Sequence, residues 1–455
     1  MHPLFNIVLD NLRIDAQQMV EQGHDLAALT REIDAAAATG SLDALARLQE
    51  ELWNRPSPAT FAYREPSDWQ SISRTFPVDD LHARFGGGEA VLADRLLAAW
   101  QGRCVGCQLG KPFEGAWPEE VRKVAQTSGS WPLEDYLKPI DDPRRIEELR
   151  AVEGYGRRIA NQQWLTKGHF DCVVPDDDIH YSIIGLLTLE KHGVNFTADD
   201  VAAILRAVNP QEFLFSAGLN MVLKNGFGVP ASVSAVFGNP CRQLLGAAIR
   251  CDPYGWAAAA NPSLAARLAY QDAVGSQRRN GIYSGMFFAI AMADAFSHGD
   301  AVRALDTAEA YIPPKSRFAE MIRLTRQACG QHSDWEQANA AIYARYDQDV
   351  FAPKRAPMNH SLINAAIVIM AILKGGGDFT RTVGIAVSAG RDTDCNGATA
   401  GSIMGCALGT RGIPRHWTMH LNDTIRTELC GMHELKISDL ARRMLTVAKN
   451  NVTGI

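Results

Sequence analysis

SAGRDTDCNGATAGSIMGCALG, residues 388–409, sets Asp392 and Asp394 one residue apart and then places glycine at 397, 401, 405 and 409. A spacing of four puts those glycines on one stripe of a helix. A stripe without side chains lets a second helix backbone come close, which offsets the roughly 1 kcal/mol of propensity that each helical glycine costs. The same spacing recurs at Gly102, Gly106 and Gly110 in WQGRCVGCQLGKPFEG, residues 100–115. The two stretches are expected to be neighbouring helices deep in a helical body. A phosphate-cradling glycine loop fits poorly, because no GK[ST] follows and the period is helical.

Asp392 and Asp394 fall at the start of that helix. A second acid group is placed alike: VVPDDDIHYSIIGLLTLE, residues 173–190, sets Asp176, Asp177 and Asp178 just ahead of an apolar helix. Capping accounts for one Asp at each helix start. Adjacent carboxylates beside apolar helices repel one another, and a cation that neutralises them is the other explanation. Oxygen donors without a His or Cys cluster point to Mg²⁺, or Mn²⁺, and away from zinc. Spacing alone leaves capping and metal binding both open.

Outward from these motifs, helix-length apolar periodicity dominates from about residue 86. VLADRLLAAWQG, LAARLAYQDAVG, GMFFAIAMADAFSHG and SLINAAIVIMAILKG all carry it, and several end in glycine as helices often do. Strictly alternating β-branched runs are missing, so an all-α fold is expected. Residues 1–85 read as a helical appendage with a Pro-rich linker, NRPSPATFAYREPSDW, ahead of a domain spanning 86–455. Ser41 is placed as a cap before Leu42, Leu45, Leu48 and Leu52. The Pro- and Trp-bearing stretch at about 115–170 is weakly periodic and reads as a lid-like insert.

A net charge of −6 over 455 residues leaves no basic field for nucleic acid or anionic lipid, and no segment is long and apolar enough for a membrane span. Nine scattered cysteines do not form a secreted disulfide framework, so a reducing cytoplasm is expected. Cys104 and Cys107 make a lone CxxC in an apolar segment and read as packing residues. The first 60 residues hold nine acids and four bases. They are expected to act as a cap, or as a homo-oligomer contact, without chemistry of their own.

At this point a resemblance emerges. GRCVGCQLGKPFEG, residues 102–115, is similar to the G-x-x-x-G-x-x-x-G-x-P-x-E segment that opens the ADP-ribosylglycohydrolase family, the dinitrogenase-reductase-activating glycohydrolase type. PDDDIHYS occupies the place of its paired-aspartate motif, and GRDTDCNGATAGSIMG that of its G-x-D-T-D-T/S-x-A segment. GAAIRCDPYGW, RNGIYSGMFFAIAMADAF and NHSLINAAIVIMAIL also look like family blocks, so the likeness covers about residues 90–425.

The resemblance implies an orthogonal all-α bundle around two Mg²⁺ ions, with Asp176, Asp177, Asp178, Asp392, Asp394 and Cys395 as ligands. The family commonly has threonine or another oxygen donor where this chain has Asp176, and a Thr or Ser hydroxyl at Cys395. Ile179 replaces a frequent Thr. A thiol is a poor Mg²⁺ ligand, so one metal position is expected to be weaker or biased toward Mn²⁺. Glu114, Asp178 and Asp392 are the carboxylates implied to orient or deprotonate water. Asn359 and His360 are implied to sit near substrate, while Arg250 and Asp252 either pair with each other or bind it. Ala247 and Ala248 replace residues that commonly meet phosphate.

The chemistry implied is hydrolysis of an N- or O-glycosidic bond to a ribose-like sugar, with water activated by the cations. The substitutions favour a small glycoside or nucleoside-like metabolite over an ADP-ribosylated protein. Two other readings stay open at this stage. One is a non-catalytic, crystallin-like or ligand-binding relative; the other is a two-metal phosphohydrolase.

Overall fold

A computed structural model of the chain describes residues 3–77, 85–150, 162–210, 212, 214–236, 238–239, 241–346 and 358–451. At its centre the helices Gly88–Gly110 and Thr393–Leu408 run antiparallel with their glycine stripes face to face. A methyl group added at Gly102 would lie 2.1 Å from the Gly401 carbonyl oxygen, and one at Gly106 would lie 1.9 Å from that of Gly397. Further along the pair, Gly405 meets the Ala98 carbonyl and Gly110 meets Thr393. The two backbones therefore touch directly, as the spacing predicts.

Four more helices wrap this pair: Asp177–His192, Asn280–His298, Ser361–Gly375 and Phe379–Ser388. Ser361–Gly375 and Asn280–His298 are apolar on nearly every face and are buried accordingly. Helix ends follow local chemistry. Asp378 accepts from the Arg381 amide at 2.7 Å, Asn261 from that of Leu264 at 3.0 Å, and Gly299 closes its helix at φ +66°. The fold is all-α, and the strands among the described residues form one short antiparallel pair, Thr424–Arg426 with Glu434–Lys436. Val173 bridges onto the first of these strands, donating to the Thr424 carbonyl at 2.9 Å and accepting from the Arg426 amide at 3.0 Å. That clamp fixes the chain three residues before Asp176.

The appendage has a small core of its own. Helices Pro3–Val20, Leu26–Ala38 and Leu42–Asn54 bury Leu12, Leu29, Ile33, Leu45 and Leu52 together, and Ser41 caps the third by accepting from the Ala44 amide. It docks on the body through the buried pair Asp15–Arg242, at 2.8 Å. The Pro-rich stretch is not a free linker. Arg64 donates its amide to the Lys315 carbonyl, and buried Glu65 accepts from Arg317 Nε and Nη2, each at 2.8 Å.

The insert at about 115–170 also departs from the lid-like reading. Pro118–Ser128 is a helix burying Val121, Val124 and Ala125. Leu133, Tyr136, Leu137 and Ile140 are core residues, and Tyr136 donates to the Trp417 carbonyl at 2.9 Å. Prolines and tryptophans broke the periodicity here without preventing burial. Residues 151–161 lie outside the described residues. No helix among the described residues is long and apolar enough to cross a membrane.

Candidate metal centre

The two acid groups meet where the starts of Thr393–Leu408 and Asp177–His192 come together. Asp392 occupies the N-cap position of Thr393–Leu408 and Asp394 lies in its first turn, while Asp176 caps Asp177–His192. Carboxylate and thiol atoms of Asp392, Asp394 and Cys395 lie within 4.8 Å of one another, and so do those of Asp176, Asp177 and Asp178. Cys395 Sγ joins the sets by donating to Asp178 Oδ2 at 2.9 Å.

A cavity of about 490 Å³ opens over this junction. Lys111, Glu114, Asp177, Asp392, Asp394 and Cys395 form its polar floor. Tyr181, Phe215, Leu244, Leu245, Ile249 and Met358 line the other side, with Asn359 and Arg250. That size and mixture suit a small ligand held by apolar surface and oriented by a few polar groups. No described residue from 115 to 170 reaches the cavity wall.

The remaining residues singled out from sequence fall elsewhere. Arg250 and Asp252 do not pair. Arg250 Nε donates to Asp272 Oδ2 at 2.9 Å and Nη2 to Ser276 Oγ at 2.6 Å, while Asp252 lies 2.9 Å from Arg103 Nη1. Asp252 is fully buried beneath the site and lines no part of the cavity. His360 is buried too: its Nδ1 accepts from the Leu362 amide as a helix cap, and its Nε2 lies 3.5 Å from a Glu21 oxygen of the appendage. Asn359 alone of that pair faces the cavity.

Lys111, Arg103 and Tyr181 were not predicted. Lys111 was visible within KPFEG as a cation between a buried helix and the motif glutamate. Arg103 sits among small and apolar residues of a glycine-striped helix, where a guanidinium must be paired.

Electrostatics separates the carboxylates. Burial pushes the carboxyls of Asp178 and Asp392 up, to about 8 and about 6, and those of Asp177 and Asp394 well above the ordinary value. Neighbouring carboxylates add to this, Asp176 and Asp178 on Asp177, and Glu114 and Asp176 on Asp394. Asp176 differs. Burial raises it, yet the Lys111 ammonium outweighs that and holds it below the ordinary value. Burial and Asp178 push the Cys395 thiol well up, so it stays neutral and a poor ligand for a hard cation. Oδ1 of Asp394, 2% exposed, has no hydrogen-bond partner among the described residues. A buried carboxylate oxygen without a donor is costly, and oxygen-rich surroundings of this kind suit a divalent cation.

The sequence model of the ADP-ribosylglycohydrolase family matches residues 88–451, which is most of the chain and includes every residue of both acid groups. The chain belongs to the ADP-ribosylglycohydrolase family. Membership carries a glycohydrolase type of function, in a family that generally depends on divalent metal. The family match begins at the first turn of the glycine-striped helix and leaves the appendage outside it. A solved structure of an ADP-ribosylglycohydrolase-related protein complex is similar at 18% identity and a TM-score of 0.49, covering 80% of this chain and 100% of its own. No curated protein matches the chain in sequence.

Proposed function

We propose that the chain hydrolyses an N- or O-glycosidic bond to a ribose-like sugar, with Mg²⁺ or Mn²⁺ held by the acid groups. The observation that carries this reading is the cavity lining, where Asp177, Asp392 and Asp394 converge and Asp394 Oδ1 has no donor among the described residues. When bound there, a divalent cation supplies positive charge that orients sugar hydroxyls and acidifies water.

The protein's own groups do the rest. Glu114 lines the cavity beside Asp392 and Asp394 and takes the part of general base toward water. Asp392 also lines the cavity, and its backbone amide donates to Asn364 Oδ1 at 3.3 Å. Asp178 has no surface in the cavity lining, so it acts by holding Cys395 and Arg103 in place and not by touching substrate. The apolar wall of Phe215, Leu244, Leu245 and Met358 excludes water and gives a leaving group such as a base or other aglycone a surface to pack on. A nucleoside-like metabolite or small glycoside fits that wall better than a large modified protein.

The test is a panel of ADP-ribosyl, nucleoside and simple glycoside substrates with Mg²⁺ or Mn²⁺, following the release of free sugar. The expected result is metal-dependent release from at least one small glycoside. Release of inorganic phosphate without any free sugar would replace this reading with a phosphohydrolase.

A further inference from the structure

We infer that the acid cluster holds a single divalent cation, because Lys111 and Arg103 already occupy the carboxylates that a second ion would need. The inference rests on the metal-dependent reading above and narrows it. Both oxygens of Asp176 are committed: one accepts from the Asp178 amide at 2.9 Å and the other from the Lys111 ammonium. Both oxygens of Asp178 are committed as well, to Arg103 Nη2 at 3.0 Å and to the Cys395 thiol at 2.9 Å.

Arg103 cannot step aside. It is fully buried, its Nε and Nη2 also donate to the Asp178 carbonyl at 3.0 and 2.7 Å, and Nη2 reaches the Ile249 carbonyl at 2.7 Å. Its remaining nitrogen, Nη1, lies against Asp252. Withdrawing it would leave a buried guanidinium and two buried carboxylates unpaired, which is strongly unfavourable. Lys111 is less confined, with 19% of its side chain exposed, and it is the gate to Asp176.

A second ion would have to displace the Lys111 ammonium or the Arg103 guanidinium to find oxygen. The donors left over are Asp177, Asp392 and Asp394, which share the cavity floor with Glu114. They suffice for one hard cation completed by water or substrate oxygens.

The experiment uses the full chain, stripped with a chelator, reloaded with Mn²⁺ and dialysed. Metal per chain is measured by mass spectrometry and coupling by electron paramagnetic resonance. The expected result is one Mn²⁺ per chain with the hyperfine sextet of an isolated ion. Two Mn²⁺ per chain with an exchange-coupled spectrum would overturn the inference and leave the hydrolase reading standing. No Mn²⁺ at all would overturn both. Lys111→Met frees one Asp176 oxygen, so in a variant that keeps its helical spectrum the content should rise from one ion to two. A count that stays at one would remove Lys111 from the exclusion and overturn the inference as stated.

Discussion

Glu21, just past the first helix of the appendage, lies 3.5 Å from Nε2 of His360, the residue that caps the helix behind the cavity wall. The same carboxylate accepts from Gln243 Nε2 at 2.7 Å. Gln243 in turn accepts the Ser361 amide through its carbonyl, and the Leu245 amide donates to Asn359 at 2.9 Å. The appendage thus braces both strips of chain, around 244 and 359, that line one side of the cavity.

Glu21→Ala should therefore loosen that wall. Leaving buried partners unsatisfied costs about 1–3 kcal/mol, so a fall in stability of that order is expected. KM should rise more than kcat changes, because no group touching the reacting bond is removed. Urea unfolding and steady-state kinetics check this. Unchanged stability together with an unchanged KM would mean that the appendage does not support the site.

Gly106→Ala sets two effects against each other. Alanine gains about 1 kcal/mol of helix propensity over glycine. Its methyl would sit 1.9 Å from the Gly397 carbonyl oxygen, which forces the two central helices apart. Overpacking of that kind costs about 3 kcal/mol or more, so the clash wins. Thermal unfolding should show a net loss, and a variant at least as stable as the parent would refute the direct backbone contact.

Glu65 gives the acid limb of stability. Burial raises its carboxyl, but the Arg317 hydrogen bonds and charge outweigh that and hold it below the ordinary value. A carboxyl with a lowered folded value binds fewer protons folded than unfolded, so its stabilisation is complete above the ordinary range near 4.5 and is lost as pH falls through the folded value. Glu65→Gln should cost about 3–5 kcal/mol at neutral pH and flatten the loss of stability toward acid. Equal acid slopes for parent and variant in pH-dependent unfolding would count against the pair.

Much of this was legible in the residues. The glycine periods named the central helix pair and its contact, since only a stripe without side chains permits it. The acid motifs named the site, because carboxylates gathered at two helix starts must either cap or bind. What escaped depended on long-range partners. Asp252 reads as a partner either for Arg250 or for substrate, yet Arg103, 149 positions earlier, pairs with it. His360 reads as a ligand-facing histidine until Glu21 meets it. The insert read as a lid because prolines and tryptophans erase the helical period, which reports local regularity and not burial.

Asp394→Asn separates binding from stability. Asp394 supplies the buried oxygen that lacks a donor among the described residues, so neutralising it should weaken Mn²⁺ uptake by more than the roughly 10–100-fold typical of outer-sphere changes. Stability of the metal-free protein should move the opposite way. Burial, Glu114 and Asp176 raise the Asp394 carboxyl, so the folded chain binds more protons than the unfolded one once pH exceeds the ordinary value of 3.8. Metal-free stability therefore falls as pH climbs above that value, and continues to fall until the raised folded value is passed. The asparagine carries no such charge. In calorimetry at pH 8 with chelator present, the variant should melt above the parent, and the difference should shrink as pH is lowered toward 5. Adding Mn²⁺ should reverse the order by stabilising the parent alone. A variant that melts below the parent in chelator would show that Asp394 is satisfied inside the protein, and the metal centre would lose its principal support.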